Sequence, residues 1–208
     1  GSPSNTPHGT NVFRILYTYA PHVTYYFAVV VSTTNYTTNQ YFERLTNALL
    51  WGKELNVDII TTQLGISVGW TLPNHEIYIT FQNLIKDMSN VNILFSAGNE
   101  NDDGLDIPTD IPEIIAIGNT QGWHDTTGSH KPDLVLPNIT HDTWDWNESP
   151  YTSKTCPLTA AIFAICKSLR PQLDANALVN TICNTASNNG VNDITYGYGV
   201  PMVNKFLE

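Results

Sequence analysis

Short, nearly uncharged runs of apolar and β-branched residues recur along this chain, and stretches with helical spacing separate them. The runs are Tyr25–Val31, Val57–Thr61, Val91–Phe95, Ile114–Ile117 and Leu134–Leu136. They lack the strict polar alternation of a half-exposed strand and suit strands covered on both faces. Helical stripes accompany them: Val12, Ile15, Leu16 and Tyr19, then Phe42, Leu45, Leu49, Gly52 and Leu55, then Ile77, Phe81, Leu84, Ile85 and Met88. Two further helices are expected, one after Ser153 and one near residues 173–186. Buried strands alternating with amphipathic helices imply an α/β fold, a three-layer αβα sandwich around a mainly parallel sheet. In such sheets ligands bind at the carboxyl ends of the strands. Gln63-Leu64-Gly65 and Ser96-Ala97-Gly98-Asn99 each leave a strand at that end.

At 208 residues the chain can bury roughly 70% of its extended surface, so a single domain over residues 1–208 is expected to hold without disulfides. Residues 1–7 are polar, contain Pro3 and Pro7, and read as a lead-in; Gly1-Ser2 has the form of a tag remnant, which places the natural start upstream. Nine basic residues stand against nineteen acidic ones, a net charge of −10. No Lys/Arg cluster exists to follow a phosphate backbone, which argues against nucleic acid, and an anionic membrane surface would repel the chain. No apolar run approaches the ~18 residues of a membrane span. Cys156, Cys166 and Cys183 are odd in number and show no CxxC spacing, so buried free thiols are expected.

Tyr151-Thr152-Ser153-Lys154-Thr155-Cys156-Pro157 runs into the uncharged stretch Leu158–Cys166, with Pro171 as a stop. This is the pattern of a turn feeding a buried helix, with Ser153 in its first turn. A serine there either caps the helix or stands where free backbone N–H groups can receive a developing anion, and capping is the commoner role. Alone, His8 reads as a surface or capping histidine and Asn99 as a turn residue after Gly98. Their order along the chain changes the weighting: His8-Gly9-Thr10, then Ser96-Ala97-Gly98-Asn99-Glu100, then Thr152-Ser153-Lys154-Thr155-Cys156-Pro157. The series resembles the subtilisin-like serine peptidases, the subtilases, which carry HGT, AGN and GTS-x-A-x-P in that order. The resemblance extends to Ala20-Pro21, Asp58–Gly65, Pro112–Gly118, Lys131–Pro137, Asn184-Thr185-Ala186 and Tyr198-Gly199-Val200, and so covers nearly all of residues 8–208.

The resemblance implies a subtilisin-like fold and acyl transfer on a peptide or protein substrate. Carried over by position, Ser153 is the nucleophile and His8 its general base. Asn99 then donates its side-chain amide to the oxyanion beside the N–H of Ser153. Gln63, Leu64 and Gly65 on one side, and Ser96, Ala97 and Gly98 on the other, would bind the substrate around its P1 side chain, with open backbone groups pairing to an extended peptide. No cofactor is implied. Subtilases often bind calcium, and the stretch Asn101-Asp102-Asp103-Gly104 is acidic enough to be considered for it but lacks EF-hand spacing; His22, His75, His124, His130 and His141 form no HExxH-type pair, so calcium has only weak support and no metal ligands are assigned.

The family's acid lies at the end of a strand roughly thirty residues before the histidine. Only seven residues precede His8 here, and none is acidic. An upstream segment, a prosegment or partner chain supplying the strand and its Asp, or another carboxylate would complete the site. Asp58, Asp102, Asp103 and Asp125 are the candidates within the chain, each of which otherwise reads as a solvated turn residue. Tyr151 stands where the family has glycine, Lys154 where methionine is usual, Asn11 in place of a second histidine and Leu158 where histidine is common. These departures support an alternative reading, a catalytically impaired pseudoprotease that binds peptides or partners.

Overall fold

The computed structural model describes residues 8–30, 37–65, 74–99, 107–121, 131–137 and 151–208. Four parallel strands, β1 (Ile59–Thr62), β2 (Asn92–Ser96), β3 (Ile115–Asn119) and β4 (Leu134–Leu136), form one sheet in the order β1-β2-β3-β4. The register sets Ile59 opposite Asn92, Leu94 opposite Ile115 and Ile117 opposite Leu134. Among the described residues six helices accompany it: α1 (His8–Tyr19), α2 (Thr38–Glu54), α3 (His75–Asp87), α4 (Thr152–Leu169), α5 (Ala175–Thr185) and the short α6 (Val203–Phe206).

The side-chain alternation of β2 divides the core. Ile93 and Phe95 face a layer built by Phe42, Leu45 and Leu49 of α2 with Phe81 and Ile85 of α3. Leu94 faces the opposite layer, where Cys156, Ala160 and Phe163 of α4 meet Leu178 and Ile182 of α5 and Phe206 of α6. α1 joins that second layer through Leu16 and packs along α4. The result is the three-layer αβα arrangement expected from the alternation of runs and stripes.

The entry to β3 and β4 is tied by an ion pair between a buried lysine and a partly buried aspartate. Lys131 Nζ lies 2.6 Å from Asp133 Oδ2 and also donates to the Ile114 carbonyl. The Ala116 amide donates to the same carboxylate at 2.7 Å. Each group of the pair therefore has a backbone partner as well as its counter-charge, which a buried charge requires.

The run at Tyr25–Val31 departs from the expectation of a buried strand. Residues 24–29 belong to no strand, and Tyr26, Phe27 and Val29 are 50%, 60% and 79% exposed. A strand needs a ladder for its N–H and C=O groups as well as apolar side chains, and among the described residues no backbone group pairs with this run; Arg44 Nη1 donates to the Val30 carbonyl at 3.3 Å instead. The rings of this run pack on two helices, Tyr25 and Phe27 on α1 and Tyr26 on Trp51 of α2. Phe13 packs edge-on against Tyr25 and Phe27 at 5.3 and 4.8 Å, and the Tyr25 hydroxyl donates to the carbonyls of Leu16 and Ala20.

Candidate active site

The first turn of α4 is capped from a distance. Tyr151 precedes it and makes no side-chain capping bond. Asn99 Oδ1 accepts instead from the Thr152 amide at 2.7 Å and from the Thr152 hydroxyl at 3.1 Å, and the same hydroxyl lies 3.0 Å from the Gly98 carbonyl. Only an oxygen can accept from a backbone N–H, so these bonds orient the Asn99 amide. Oδ1 faces Thr152 and the donor Nδ2 lies on the other side of Cγ. Gly98 makes the turn that brings Asn99 here, with φ of 97°, a conformation that a residue with a Cβ adopts only with strain.

Ser153 follows as the second residue of α4 and is 9% exposed. No hydrogen bond among the described residues uses its Oγ, so capping is not its role. Its N–H is one of the four N-terminal donors that helix geometry leaves without an intrahelical partner, at the positive end of the helix dipole. Lys154, the next residue, is 6% exposed, and burial pulls its ammonium below the ordinary lysine range.

His8 is the first residue of α1, and α1 packs along α4, so the helices opening at His8 and at Thr152-Ser153 are neighbours. The residue keeps solvent access, while partial burial of its ring lowers its pKa below the ordinary histidine value. A neutral imidazole at neutral pH can accept a proton, as a general base must.

Among the carboxylates considered for His8, Asp58 lies at the wrong end of the sheet. It precedes β1 and faces Lys167 Nζ at 3.5 Å, near the C-terminus of α4. Fourteen residues of helix, about 21 Å at 1.5 Å each, separate Lys167 from Ser153. Asp58 is a largely solvated surface residue, as its alternative reading had it. Asp102, Asp103 and Asp125 lie outside the described residues, as does the whole Asn101–Gly104 stretch. Among the described residues no group of three His, Cys, Asp or Glu side chains could hold a metal ion.

The two proposed substrate segments leave adjacent parallel strands. Gln63, Leu64 and Gly65 follow β1; Ser96 ends β2, with Ala97 and Gly98 after it, and Thr62 pairs with Phe95 at the exits. The Tyr41 hydroxyl donates to the Leu64 carbonyl at 2.9 Å, and the Ala97 amide donates to the Ile117 carbonyl at 3.0 Å. Both exits are thus held by groups from neighbouring elements. Sequence reasoning missed Thr152 as the partner of Asn99 and Tyr41 as the support of Leu64. The adjacency of Thr152 to the serine was the one available signal for the first; nothing in the sequence signalled the second.

The family model described as the subtilase family, peptidase S8, matches residues 3–200. No curated protein matches the chain. Among solved structures, a lanthipeptide protease superposes with a TM-score of 0.77 at 15% identity, covering 100% of this chain and 76% of that one. The prenylagaramide maturation protease PagA gives 0.63 at 15% identity, with 85% and 69% of the two chains covered. The PatG macrocyclase in complex with peptide gives 0.61 at 21% identity, with 80% and 56% covered. At these identities the structures speak for the fold.

Proposed function

This chain belongs to the subtilase family, and from that membership we propose that it is the core of a serine endopeptidase working through an acyl-enzyme on Ser153. In this reading His8 removes the proton from Ser153 Oγ as the oxygen attacks the scissile carbonyl, and returns it to the leaving amine. Asn99 Nδ2 and the Ser153 N–H stabilise the oxyanion. The substrate backbone runs between the exits of β1 and β2, at Gln63–Gly65 and Ser96–Gly98. Water then releases the acyl group by the same steps. The observation that carries the reading is the bond from Thr152 to Asn99 Oδ1, which ties the residue before the nucleophile to the proposed oxyanion donor and commits the oxygen of that amide to the helix, leaving the nitrogen as its donor. The lowered pKa of His8 supports its role as base.

The acid that orients His8 is proposed to come from a prosegment or partner strand. In subtilisin-type sites its loss lowers turnover by ~10⁴-fold, so activity should be weak without it. Labelling with a fluorophosphonate tests the nucleophile: Ser153→Ala and His8→Ala should each abolish it. Absence of labelling and of peptide cleavage, with an acid-bearing strand supplied, would reject the enzyme. The buried Lys154 beside Ser153 and the tyrosine at position 151 favour the second reading, a peptide- or partner-binding pseudoprotease. That reading expects binding that survives Ser153→Ala unchanged.

A further inference from the structure

Pro157 lies inside α4, one turn after Ser153. It has no N–H to donate to the Ser153 carbonyl, so the first turn of the helix lacks a ladder bond to the turn that follows. Side chains hold this turn to the sheet at both its ends. At one end Thr152 reaches Gly98 and Asn99, beyond β2. At the other, Cys156 reaches β1: its Sγ shares a hydrogen bond of 3.4 Å with Thr61 Oγ1, and its thiol lies 3.7 Å from the Thr62 carbonyl.

The surroundings of this thiol are polar on the strand side. The Gln63 amide donates to Thr61 Oγ1 at 3.0 Å. Ser96 Oγ, buried without a hydrogen bond of good geometry, lies against the same sulfur. Burial pushes the thiol up to about 11, against the opposing pull of Thr61, Ser96 and Gln63. Cys156 is thus a neutral thiol, unfit as a nucleophile near neutral pH and suited to weak, adaptable hydrogen bonds. It joins the nucleophile turn to the end of β1, the strand from which the proposed substrate segment Gln63–Gly65 leaves.

We infer that Cys156 is a positioning residue: through Thr61 and the Thr62 carbonyl it sets the spacing between Ser153 and the substrate segment Gln63–Gly65. This rests on the reading of Ser153 as nucleophile and of Gln63–Gly65 as a peptide-binding segment. An extended peptide must engage both the segment and the serine, and is sensitive to their spacing; displacements near 1 Å cost on the order of 10²-fold. A small fluorophosphonate needs the serine and its base but not the segment.

The test compares the two reagents on the complete chain, with an acid-bearing strand supplied for peptide cleavage. In Cys156→Ala, peptide kcat/KM should fall by roughly tenfold or more, while fluorophosphonate labelling stays within about twofold of wild type. Cys156→Ser keeps the hydrogen-bonding group and should restore cleavage. Thr61→Val removes the other end of the contact with its shape preserved and should repeat the Cys156→Ala result if that variant folds poorly. Equal losses with both reagents, or full peptide cleavage in Cys156→Ala and Thr61→Val, would overturn the proposal.

Hydrogen exchange at the amides of residues 61–65 gives a readout independent of activity. Exchange should quicken in Cys156→Ala and Thr61→Val and remain as wild type in Cys156→Ser; no change in the first two overturns the tether. Failure of the wild type to label rejects the nucleophile reading instead, and leaves the exchange result to decide the tether by itself.

Discussion

Thr152 makes two bonds that a helix-capping residue on a surface would not need, one to a backbone carbonyl beyond β2 and one to the side chain of Asn99. Together they make the orientation of one amide group depend on the residue beside the serine. At the same scale, His8 gives a prediction in pH. Burial lowers its pKa, so the neutral imidazole that accepts the serine proton persists to a pH below the ordinary histidine value. Labelling of Ser153 by a fluorophosphonate should therefore rise with pH through a midpoint on the acidic side of that value and fall away beneath it. A midpoint at or above the ordinary value would contradict the assignment of His8 as the base.

Among the elements, α4 and the β3–β4 pair illustrate two ways of placing polar groups inside an α/β core. The first turn of α4 buries Thr152, Ser153, Lys154, Thr155 and Cys156, and its threonine hydroxyls find carbonyls: Thr152 reaches Gly98, Thr155 reaches Thr152 and, a turn further on, Thr159 reaches Thr155. The β3–β4 entry instead uses full charges, with Lys131 and Asp133 bonded to each other and to backbone. Removing one partner of such a pair leaves an uncompensated buried charge. Lys131→Met should lower stability by about 3–5 kcal/mol in urea unfolding. A loss below about 1 kcal/mol would show that the pair behaves as an exposed one.

At the scale of the whole molecule, one short segment among the described residues exposes three large apolar side chains within four positions. Among the described residues β1 has a neighbour on one side only, and Tyr26, Phe27 and Val29 stand exposed in a segment without backbone partners. Unpaired strand edges and contiguous apolar patches both favour association. In a chain of net charge −10, no Asp or Glu precedes Glu43, so this segment carries no acidic residue of its own to oppose association. Sedimentation velocity should show association that grows with protein concentration, and Phe27→Lys with Val29→Lys should return the chain to monomer. A wild-type monomer at all concentrations would remove the patch from consideration.

The order of apolar runs and helical stripes was enough to foresee the layers, because burial on two faces writes a continuous hydrophobic pattern into each strand. β2, β3, β4 and helices α1 to α5 fall where those patterns lie, and the motifs at His8, Asn99 and Ser153 were legible because each is local. The family followed from their order. Pairing is not local, and there the sequence was silent. Tyr25–Val31 carries the composition of a strand, but whether a ladder meets its backbone depends on distant residues, and among those described none does. The same holds for the nucleophile turn. Its serine was visible in the sequence, whereas the bonds that hold it, from Thr152 to Asn99 and from Cys156 to Thr61, join residues 53 and 95 positions apart. Hydrogen bonds act over about 3 Å, and only the folded chain brings such groups within that reach.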